Sequence, residues 1–471
     1  MTAPVEHLPD PHRPTWHFVL PANWMNDPNG LCQWKGTYHL FYQHNPHGAF
    51  WGTMHWGHAR SKDLVHWEHM PIALAPDPDG PDADGCFSGC MANVDGVATM
   101  LYTGVRGDAQ LTCIATSQDD DLITWEKYLG NPVIAALPAE LDTTIFRDHS
   151  VWRENGIWYQ IIGSGIRGVG GTALLYRSSN FYRWEFVDSL VELDRVSQGI
   201  GKGATGWECP DFFALDGRHV LVASMWDQEP IVVAYFVGDY ADHRFTPTHE
   251  GVLDPGTAYY APQTLTDEAG RQIQFGWVRE QRSTEAQIEA GWSGVMSLPR
   301  VLSLLPDGSL AATPASEVET LRGRHVRLPG GQIVAGEPLP LDGISGNSLE
   351  LLVTLDPSFR ETVAIEVLRS EDGGETTIIS FDATSGTLTL NTTGASHSGQ
   401  VEGGVYALRH VGHSDDAVTL RIFVDHSVVE VFLNDARPIT ARAYPESLDA
   451  TGVTVSTPEG VASIDIWEMR P

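Results

Sequence analysis

The chain has 471 residues, 42% of them hydrophobic, which is enough for two or three domains with well-filled cores. Its 29 basic and 61 acidic residues give a net charge of -32, which would repel nucleic acid or an anionic membrane, so we expect neither as a partner. We expect a globular, cytoplasmic protein of unassigned oligomeric state, because no segment approaches the roughly 20 apolar residues of a membrane span and residues 1–18 lack the basic and apolar regions of a secretory signal.

The first motif along the chain is WMNDPNG at residues 24–30, with Asp27 at its centre. Asn26 and Pro28 favour a turn, so the local backbone would orient the Asp27 carboxylate. Taken alone, the pattern is more typical of a structural turn than of a catalytic group. The place of Asp27 within a repeat decides between the two interpretations.

Turn sequences recur through the first three hundred residues, between short runs of β-branched and aromatic residues. The turn glycines are spaced by 60, 60, 61 and 53 residues, at Gly36, Gly96, Gly156, Gly217 and Gly270. A second series of aromatic residues runs in step with the first, spaced by 58, 59 and 61 residues, at Trp67, Trp125, Trp184 and Phe245.

This period is typical of a β-propeller, in which each repeat longer than about 40 residues supplies one blade of four short strands. Five units predict five blades and an all-β fold. A β-sandwich with chance spacing would not be expected to keep two independent series in step. We expect the recurrent tryptophans to pack mainly between blades.

Acidic residues recur at one position of this repeat, about nine residues before each turn glycine, where the first strand of a blade begins. The equivalent positions are Asp27, Phe87 with Ser88, Asp148, Glu208, and Tyr260 with Ala261. Such positions converge around a propeller axis, so three carboxylates would meet at one end of the channel. Like charges brought together cost free energy unless some of them titrate or a ligand uses them. The pattern predicts a functional site.

Paired carboxylates indicate glycoside hydrolysis, in which one attacks the sugar or activates water and the other protonates the leaving oxygen. Mutual repulsion and partial burial would keep one acid protonated near neutral pH, and the third acid can accept hydrogen bonds from sugar hydroxyls. Side chains that suit a sugar lie around them in the sequence. They are the aromatic residues Trp24, Trp51, Phe87 and Tyr260 and the polar residues Asn26, Gln43 and Ser88.

The blade pattern ends after residue 300, and a stretch rich in Pro and Gly at 327–343 precedes new alternating strands. We expect a propeller at 14–312, a linker at 313–343 and a β-sandwich at 344–471 that packs against the propeller. The predicted strands of this sandwich are SLELLVTL, TVAIEVL, TTIISF, TLTL, LRIFVDHSVVEVFL and VTVST.

The five cysteines are an odd number and form no C-x-x-C pair, and no H-E-x-x-H motif is present. We therefore expect reduced, mostly buried thiols, and neither a metal nor another cofactor.

An ordered set of motifs runs along the chain: WMNDPNG at 24–30, FYQHNP at 41–46, WGTMHWGHARSKDLVHW at 51–67, FSG at 87–89, RD at 147–148, WECPD at 207–211, YAPQ at 260–263 and GWSGVMSLPR at 291–300. Together these motifs resemble glycoside hydrolase family 32, the β-fructofuranosidases that include invertases, exo-inulinases and levanases. The resemblance covers nearly the whole chain and implies a five-bladed propeller followed by a β-sandwich. It agrees with the blade count obtained from the repeat.

The resemblance also implies roles for the three acids in a retaining exo-β-fructosidase. Asp27 would be the nucleophile that forms a fructosyl-enzyme, and Glu208 the general acid and base. Asp148 would stabilise the transition state by binding the 3- and 4-hydroxyls of fructose. Arg147 would fix Asp148 and reach a sugar hydroxyl. The pocket for the terminal fructose would be lined by Asn26, Gln43, Trp51, Phe87, Ser88 and Tyr260.

Two positions depart from the family pattern, and the leaving group stays open. His149 stands where the family has proline, and Cys90 where it has serine, so pH optimum or substrate fit could change, or the changes could be neutral. Sucrose, sucrose phosphate, fructo-oligosaccharides, inulin and levan all fit the predicted activity. The alternatives are a fructosyltransferase that uses the same intermediate, a non-catalytic fructan-binding protein and, less well supported, an arabinanase-type enzyme.

Overall fold

The computed structural model describes residues 10–192, 199–409, 417–456 and 460–471. Five mainly antiparallel sheets form the blades of a propeller, and two further sheets form a sandwich. The predicted all-β fold, a five-bladed propeller followed by a β-sandwich, is confirmed.

Each blade is built on a meander of four strands. The first blade contains β1 (Asn23–Trp34), β2 (Thr37–Asn45), β3 (His55–Ser61) and β4 (Trp67–Leu74). The second contains β5 (Gly85–Val94), β6 (Val97–Arg106), β7 (Ala109–Ser117) and β8 (Trp125–Lys127). The third contains β9 (Thr143–Glu154), β10 (Ile157–Ile166), β11 (Gly170–Ser178) and β12 (Glu185–Ser189). The fourth contains β13 (Gly206–Leu215), β14 (Arg218–Asp227), β15 (Glu229–Ala241) and β16 (Arg244–Asp254).

The fifth blade carries an insertion that closes the ring. Its strands are β17 (Tyr259–Thr266), β18 (Gln272–Val278), β21 (Arg300–Leu304) and β22 (Leu310–Pro314), and its insertion holds α1 (Thr284–Ala290), β19 (Trp292–Ser293) and β20 (Val295–Met296). Because β19 pairs in parallel with β1, the fifth repeat is hydrogen-bonded to the first blade. Within the described ranges, no helix has the length and apolar composition needed to cross a bilayer. The cytoplasmic location stays a prediction.

The first strand of each blade lies at the propeller axis, where β1, β5, β9, β13 and β17 contact one another in a ring. The five turn glycines of the predicted repeat all lie between the first and second strands of their blades. Their φ angles, between 73° and 94°, fall in the left-handed region that favours glycine. The sequence period is therefore the blade period.

Aromatic side chains of the second series contribute to packing between neighbouring blades. Trp67 of the first blade packs edge-on against Phe275 of the fifth, with ring centroids 5.8 Å apart. Trp125 of the second blade packs edge-on against Phe41 of the first, at 5.6 Å. These contacts confirm the structural role predicted for the two tryptophans.

The sandwich consists of a six-stranded and a five-stranded sheet with an aliphatic core between them. The first sheet contains β23 (Arg322–Pro329), β24 (Ser348–Leu355), β29 (Thr419–Asp425), β30 (Val428–Leu433), β31 (Arg437–Arg442) and β33 (Val461–Met469). The second contains β25 (Thr362–Arg369), β26 (Thr377–Asp382), β27 (Thr387–Asn391), β28 (Val405–Arg409) and β32 (Gly452–Val455). Every run predicted as a strand in this region contains one, and LRIFVDHSVVEVFL forms the β29–β30 hairpin.

Part of the predicted linker is regular structure. Residues 313–343 include β23, which pairs with β33 at the edge of the six-stranded sheet. Short 3-10 helices lie before and after it, at Ser316–Leu321 and Gly330–Gln332, and a third lies at Gly199–Gly201. The Pro- and Gly-rich stretch at 327–343 begins in the last three residues of β23 and continues beyond the strand. The domain boundaries themselves stay a prediction.

A buried cluster of charged side chains, here called the domain seam, joins the propeller to the sandwich. Arg300 of β21 donates hydrogen bonds to Asp254, at 3.0 Å, and to Glu430 of β30, at 2.6 Å. The His17 ring lies between two carboxylates, 2.9 Å from Asp425 and 3.2 Å from Glu430. All five side chains are fully buried. Their pairing fixes how the two domains meet.

Candidate active site

A β-bulge interrupts the pairing of each inner strand at the position where the repeat places its polar residues. In the third blade the register between β9 and β10 shifts from His149 to Arg147 and leaves Asp148 unpaired. Asp148 has a φ of 67°, and Cys209, in the matching bulge of β13, has a φ of 44°. Such conformations are unfavourable for residues with a side chain, and they persist where neighbouring contacts enforce them. The bulges therefore redirect side chains that a regular strand would place differently.

Asp27, on β1, is held by groups from two other blades. The Ser88 hydroxyl of β5 donates a hydrogen bond to Asp27 Oδ2 at 2.7 Å. The Cys209 thiol lies 3.5 Å from the same oxygen. The Asn26 side chain also opposes the rise in the pKa of Asp27, and its amide oxygen accepts from the Trp24 indole at 2.7 Å. These contacts fix the direction of one carboxylate.

Glu208, on β13, is held from both sides by residues of the adjacent blades. Arg147 of β9 donates from Nη2 to Glu208 Oε1 at 2.5 Å. The Tyr260 hydroxyl of β17 donates to Glu208 Oε2 at 2.6 Å. The predicted pairing of Arg147 with Asp148 is also present, with 4.0 Å between Nε and Asp148 Oδ2, but the contact with Glu208 is shorter. Both oxygens of Glu208 are therefore oriented by neighbouring donors.

Asp148, on β9, lies near the other two acids through a shared neighbour. Its Oδ2 accepts the Cys209 backbone N–H at 2.9 Å and lies 3.6 Å from the Cys209 sulfur, which also contacts Asp27. Its own backbone N–H donates to the Thr103 hydroxyl of β6 at 3.0 Å. The structure thus brings Asp27, Asp148 and Glu208 together at one end of the channel, as the repeat predicted.

The electrostatics of the cluster follow from burial and from like charges. Burial raises the pKa of Asp27; the Ser88 hydrogen bond opposes this change and the charge of Glu208 adds to it. Burial also raises the pKa of Asp148, to about 7. The charge of Arg147 opposes this rise, and the charges of Glu208 and Asp27 add to it. One guanidinium is thus set against three carboxyl groups. The cluster favours a proton or a ligand that relieves the repulsion.

The other predicted residues lie around this cluster, and some of them are engaged with the protein. The Gln43 amide of β2 donates to the Cys86 carbonyl at 3.0 Å, so part of its hydrogen-bonding capacity is used internally. Trp51, in the loop after β2, is 60% exposed and packs edge-on against Phe87, with ring centroids 6.1 Å apart. This pair forms an aromatic rim beside Asp27 and Ser88.

The structure shows what the two departures from the family pattern contribute. His149 is buried, and its ring contacts the Thr103 hydroxyl at 3.3 Å and Gln160 at 3.1 Å. Burial lowers the pKa of His149 to about 3, so the ring is uncharged at neutral pH and adds no charge beside Asp148. The thiol of Cys90 is half-buried on β5, and burial raises its pKa.

Sequence reasoning did not identify two residues that position the acids. Cys209 directly follows Glu208 in the WECPD motif, so its place beside the acids could have been suspected from adjacency. Thr103 lies in an ordinary strand sequence, and nothing in that sequence marks it. Among the described residues, no group of three or more His, Cys, Asp or Glu side chains is placed to hold a metal ion.

Comparison with known families identifies the chain. The N-terminal domain of the glycosyl hydrolases family 32 matches residues 17–314, and the C-terminal part of that family matches residues 317–468. The chain belongs to glycoside hydrolase family 32. The two matches together cover the propeller and the sandwich, so the family 32 resemblance of the sequence motifs is confirmed.

Relatives of this family 32 enzyme act on fructose-containing sugars. A sucrose-6-phosphate hydrolase of Zymomonas mobilis is 35% identical, over 97% of this chain and 91% of that protein. A raffinose invertase of Escherichia coli is also 35% identical, over 92% of this chain and 90% of that protein. Crystalline fructan 1-exohydrolase IIa from Cichorium intybus superimposes with a TM-score of 0.86 at 26% identity, covering 98% of both chains. The family 32 protein is a glycoside hydrolase with exo-β-fructosidase activity, and its substrate is a sugar.

Proposed function

We propose that Asp27, Glu208 and Asp148 together cleave terminal β-D-fructofuranosides with retention of configuration, through a fructosyl-enzyme. The observation that supports this proposal is the convergence of the three acids, with separate donors on Asp27 and on Glu208. Each acid lies on the inner strand of a different blade, so all three keep their positions through the propeller frame.

In the first step, Asp27 attacks the anomeric carbon of fructose. The Ser88 hydrogen bond favours the ionised carboxylate against the effect of burial, and it leaves the other oxygen free to react. Glu208 donates its proton to the glycosidic oxygen as the bond to the anomeric carbon breaks. The leaving sugar departs as an alcohol, and fructose remains as an ester on Asp27.

In the second step, Glu208 takes a proton from water, which attacks the same carbon and releases fructose. The Arg147 and Tyr260 contacts keep the Glu208 carboxyl aimed at the departing oxygen and then at the incoming water. Asp148 binds two hydroxyls of the fructosyl ring as charge develops on it. A pKa of about 7 means that sugar binding and ionisation of Asp148 are coupled near neutral pH.

The remaining predicted residues form the pocket for the terminal fructose in this proposal. They are Asn26, Gln43, Trp51, Phe87 and Ser88, which supply amide, hydroxyl and aromatic groups around Asp27. Sucrose and short fructo-oligosaccharides are the proposed substrates, in keeping with the raffinose invertase relative and the fructan exohydrolase fold. Inulin and levan share the same terminal fructose and are included as further substrates to test.

The proposal is tested with Glu208→Gln, compared with Glu185→Gln, which alters an exposed carboxylate on β12. Without the acid, kcat/KM for sucrose should fall by about 10²–10⁴-fold, because a proton-transfer contribution is lost. Azide should then restore turnover of p-nitrophenyl β-fructofuranoside and yield β-fructosyl azide, since an anion needs no general base. A fructosyl azide with inverted configuration would refute the retaining mechanism. A Glu208→Gln enzyme that is as active on sucrose as the control would refute the role of Glu208 as acid and base.

A further inference from the structure

Arg279 lies beside the proposed acid and base, directly after β18 at the channel end that holds the three acids. Its backbone N–H donates to the Ala258 carbonyl at 2.7 Å, which anchors the residue next to β17. Its guanidinium carbon lies 5.9 Å from the ring centroid of Tyr260 and 5.6 Å from that of Trp277. Because Tyr260 donates to Glu208, a single side chain separates Arg279 from the carboxyl that would protonate the leaving group.

The Arg279 guanidinium has no hydrogen-bonding partner and no carboxylate within 4.0 Å in the part of the chain that the structure describes. Arg147, by contrast, is bound to Glu208 at 2.5 Å. Arg279 is half-buried, and burial lowers its pKa. A partly desolvated guanidinium whose five donors are unused gains most from a ligand that accepts hydrogen bonds.

The surroundings of Arg279 suit a sugar ring. Trp277 packs edge-on against Trp24, with ring centroids 5.8 Å apart, and the Trp24 indole is bonded to Asn26 beside Asp27. The aromatic wall therefore runs from the nucleophile to Arg279. Aromatic surfaces beside directed donors are the usual composition of a carbohydrate subsite.

The charges around Arg279 argue against a phosphate group. Glu229, Glu208 and Glu402 are the carboxylates whose charges act on the guanidinium. Glu402 comes from the sandwich, and its backbone N–H donates to the Gln281 carbonyl, two residues beyond Arg279, at 3.0 Å. Even with Glu208 protonated, one cation beside the carboxylates of Glu229 and Glu402 does not form a positive site. A dianion would therefore be repelled where a neutral polyol would not.

We propose that Arg279 is a specificity-determining residue of the leaving-group subsite, where its guanidinium donates hydrogen bonds to hydroxyls of an uncharged glucosyl group. This inference rests on the proposed function, because it requires Glu208 to protonate the oxygen of that same group. The subsite is formed at the junction of the two domains, with Glu402 of the sandwich at its edge. The enzyme therefore prefers sucrose to sucrose phosphorylated on its glucosyl 6-oxygen.

The test compares three substrates that share the fructosyl group: sucrose, sucrose 6-phosphate and p-nitrophenyl β-fructofuranoside. The wild-type enzyme should prefer sucrose to its phosphate by about tenfold or more in kcat/KM. Arg279→Met should lose about 10–100-fold in kcat/KM for sucrose, mainly through a higher KM, as expected when bonds to a charged donor are removed. The loss on the nitrophenyl substrate should stay below about threefold, since that leaving group lacks the hydroxyls.

Arg279→Lys keeps a charged donor and should recover part of the sucrose activity, and thermal melting shows whether either variant folds. Equal losses on sucrose and the nitrophenyl substrate, or a shifted pH profile of kcat, would overturn the inference, because Arg279 would then act through Tyr260 and Glu208. A larger loss on the phosphate than on sucrose would identify a phosphate site and also overturn it. Failure of the wild-type enzyme on all three substrates would instead refute the proposed function.

Discussion

The active site and the domain seam are two buried clusters of acidic side chains in one protein, and they have opposite electrostatics. In the seam, Arg300 and His17 face three carboxylates, and backbone N–H groups of residues 15–17, 298 and 440 supply further donors. In the active site, Arg147 is the one cation among the described residues that is hydrogen-bonded to any of the three acids, and its partner is Glu208. The number of donors for each acid therefore separates the two clusters.

The pKa values follow this difference. Burial alone would raise the pKa of Glu430, but the Arg300 charge and the His17 hydrogen bond lower it to about 2. Burial would also raise the pKa of Asp425, and hydrogen bonds from His17 and His426 hold it below its usual range. Asp148, with fewer donors, has a pKa of about 7. A buried acid cluster therefore stabilises a fold when cations and other donors match its charges, and it is available for chemistry when they do not.

The largest expected effect is on activity alone. Asp27→Ala should reduce kcat for fructose release by about 10⁴-fold or more, because the attacking group is gone. Its circular dichroism and melting temperature should stay near those of the wild-type enzyme, since Asp27 belongs to the active-site cluster, whose acids have few donors, and not to the domain seam. Sucrose turnover at more than a trace level would contradict the role of Asp27.

The next effect is on stability and arises in the seam. Arg300→Leu leaves Asp254 and Glu430 without their common cation, and removal of one partner from a buried ion pair costs about 3–5 kcal/mol. The free energy of unfolding in urea should fall by that amount. Arg177→Ala, which breaks an exposed pair with Glu185, is the matched control and should change it by less than about 1 kcal/mol. Equal effects of the two variants would remove the distinction between seam and surface.

A third effect concerns the pH dependence of stability. Since the pKa of Asp148 is raised to about 7 in the folded state, its contribution is fully present below the unfolded value of 3.8 and is lost as pH rises through 7. Asp148→Asn should therefore melt at about the same temperature as wild type near pH 4 and about 2–4 °C higher at pH 8. The measurement is a series of thermal melts from pH 4 to pH 8.

Glu430→Gln supplies the opposite case when the melts are extended down to about pH 2. The lowered pKa of Glu430 means that its stabilisation is present above the unfolded value of 4.5 and is lost as pH falls towards 2. The melting temperature of this variant should lie furthest below that of the wild type at pH 7, and the difference should shrink in acid. Parallel pH profiles for the two variants would show that the clusters do not differ as described.

The smallest effect is expected at Cys209. Cys209→Ala removes weak thiol contacts to Asp27 and Asp148 but keeps the backbone N–H that donates to Asp148. The fall in kcat/KM for sucrose should be less than about tenfold. A fall of 100-fold or more would assign the thiol a part in catalysis.

More of the active site than of the seam could be predicted from the sequence, because the blades of the propeller repeat. The glycines Gly36, Gly156 and Gly217 mark equivalent turns, so Asp27, Asp148 and Glu208 could be aligned without knowing any contact. Equivalent positions in a closed ring meet at its axis. The repeat therefore supplied long-range information that a single sequence ordinarily lacks.

No such relation connects the residues of the seam or the donors around the acids. Arg300 lies in a family motif, but its partners Asp254 and Glu430 are distant in sequence, and Glu430 belongs to the other domain. Thr103 and Arg279 are positioned beside the acids by bulges and side-chain packing that periodicity does not encode. The shorter contact of Arg147, with Glu208, was not predicted for the same reason, since the direction of a side chain depends on the local backbone.

Identification of the residue that carries the covalent intermediate would show whether Asp27 is the nucleophile. Glu208→Gln enzyme, reacted with p-nitrophenyl β-fructofuranoside and quenched in acid, should accumulate the fructosyl-enzyme, because its breakdown lacks the general base. Peptide mass spectrometry should then find one fructosyl unit on the peptide that contains Asp27, and fragmentation should place it on that residue. A fructosyl unit on Asp148 or elsewhere, or release of the inverted product without any adduct, would show that Asp27 is not the nucleophile.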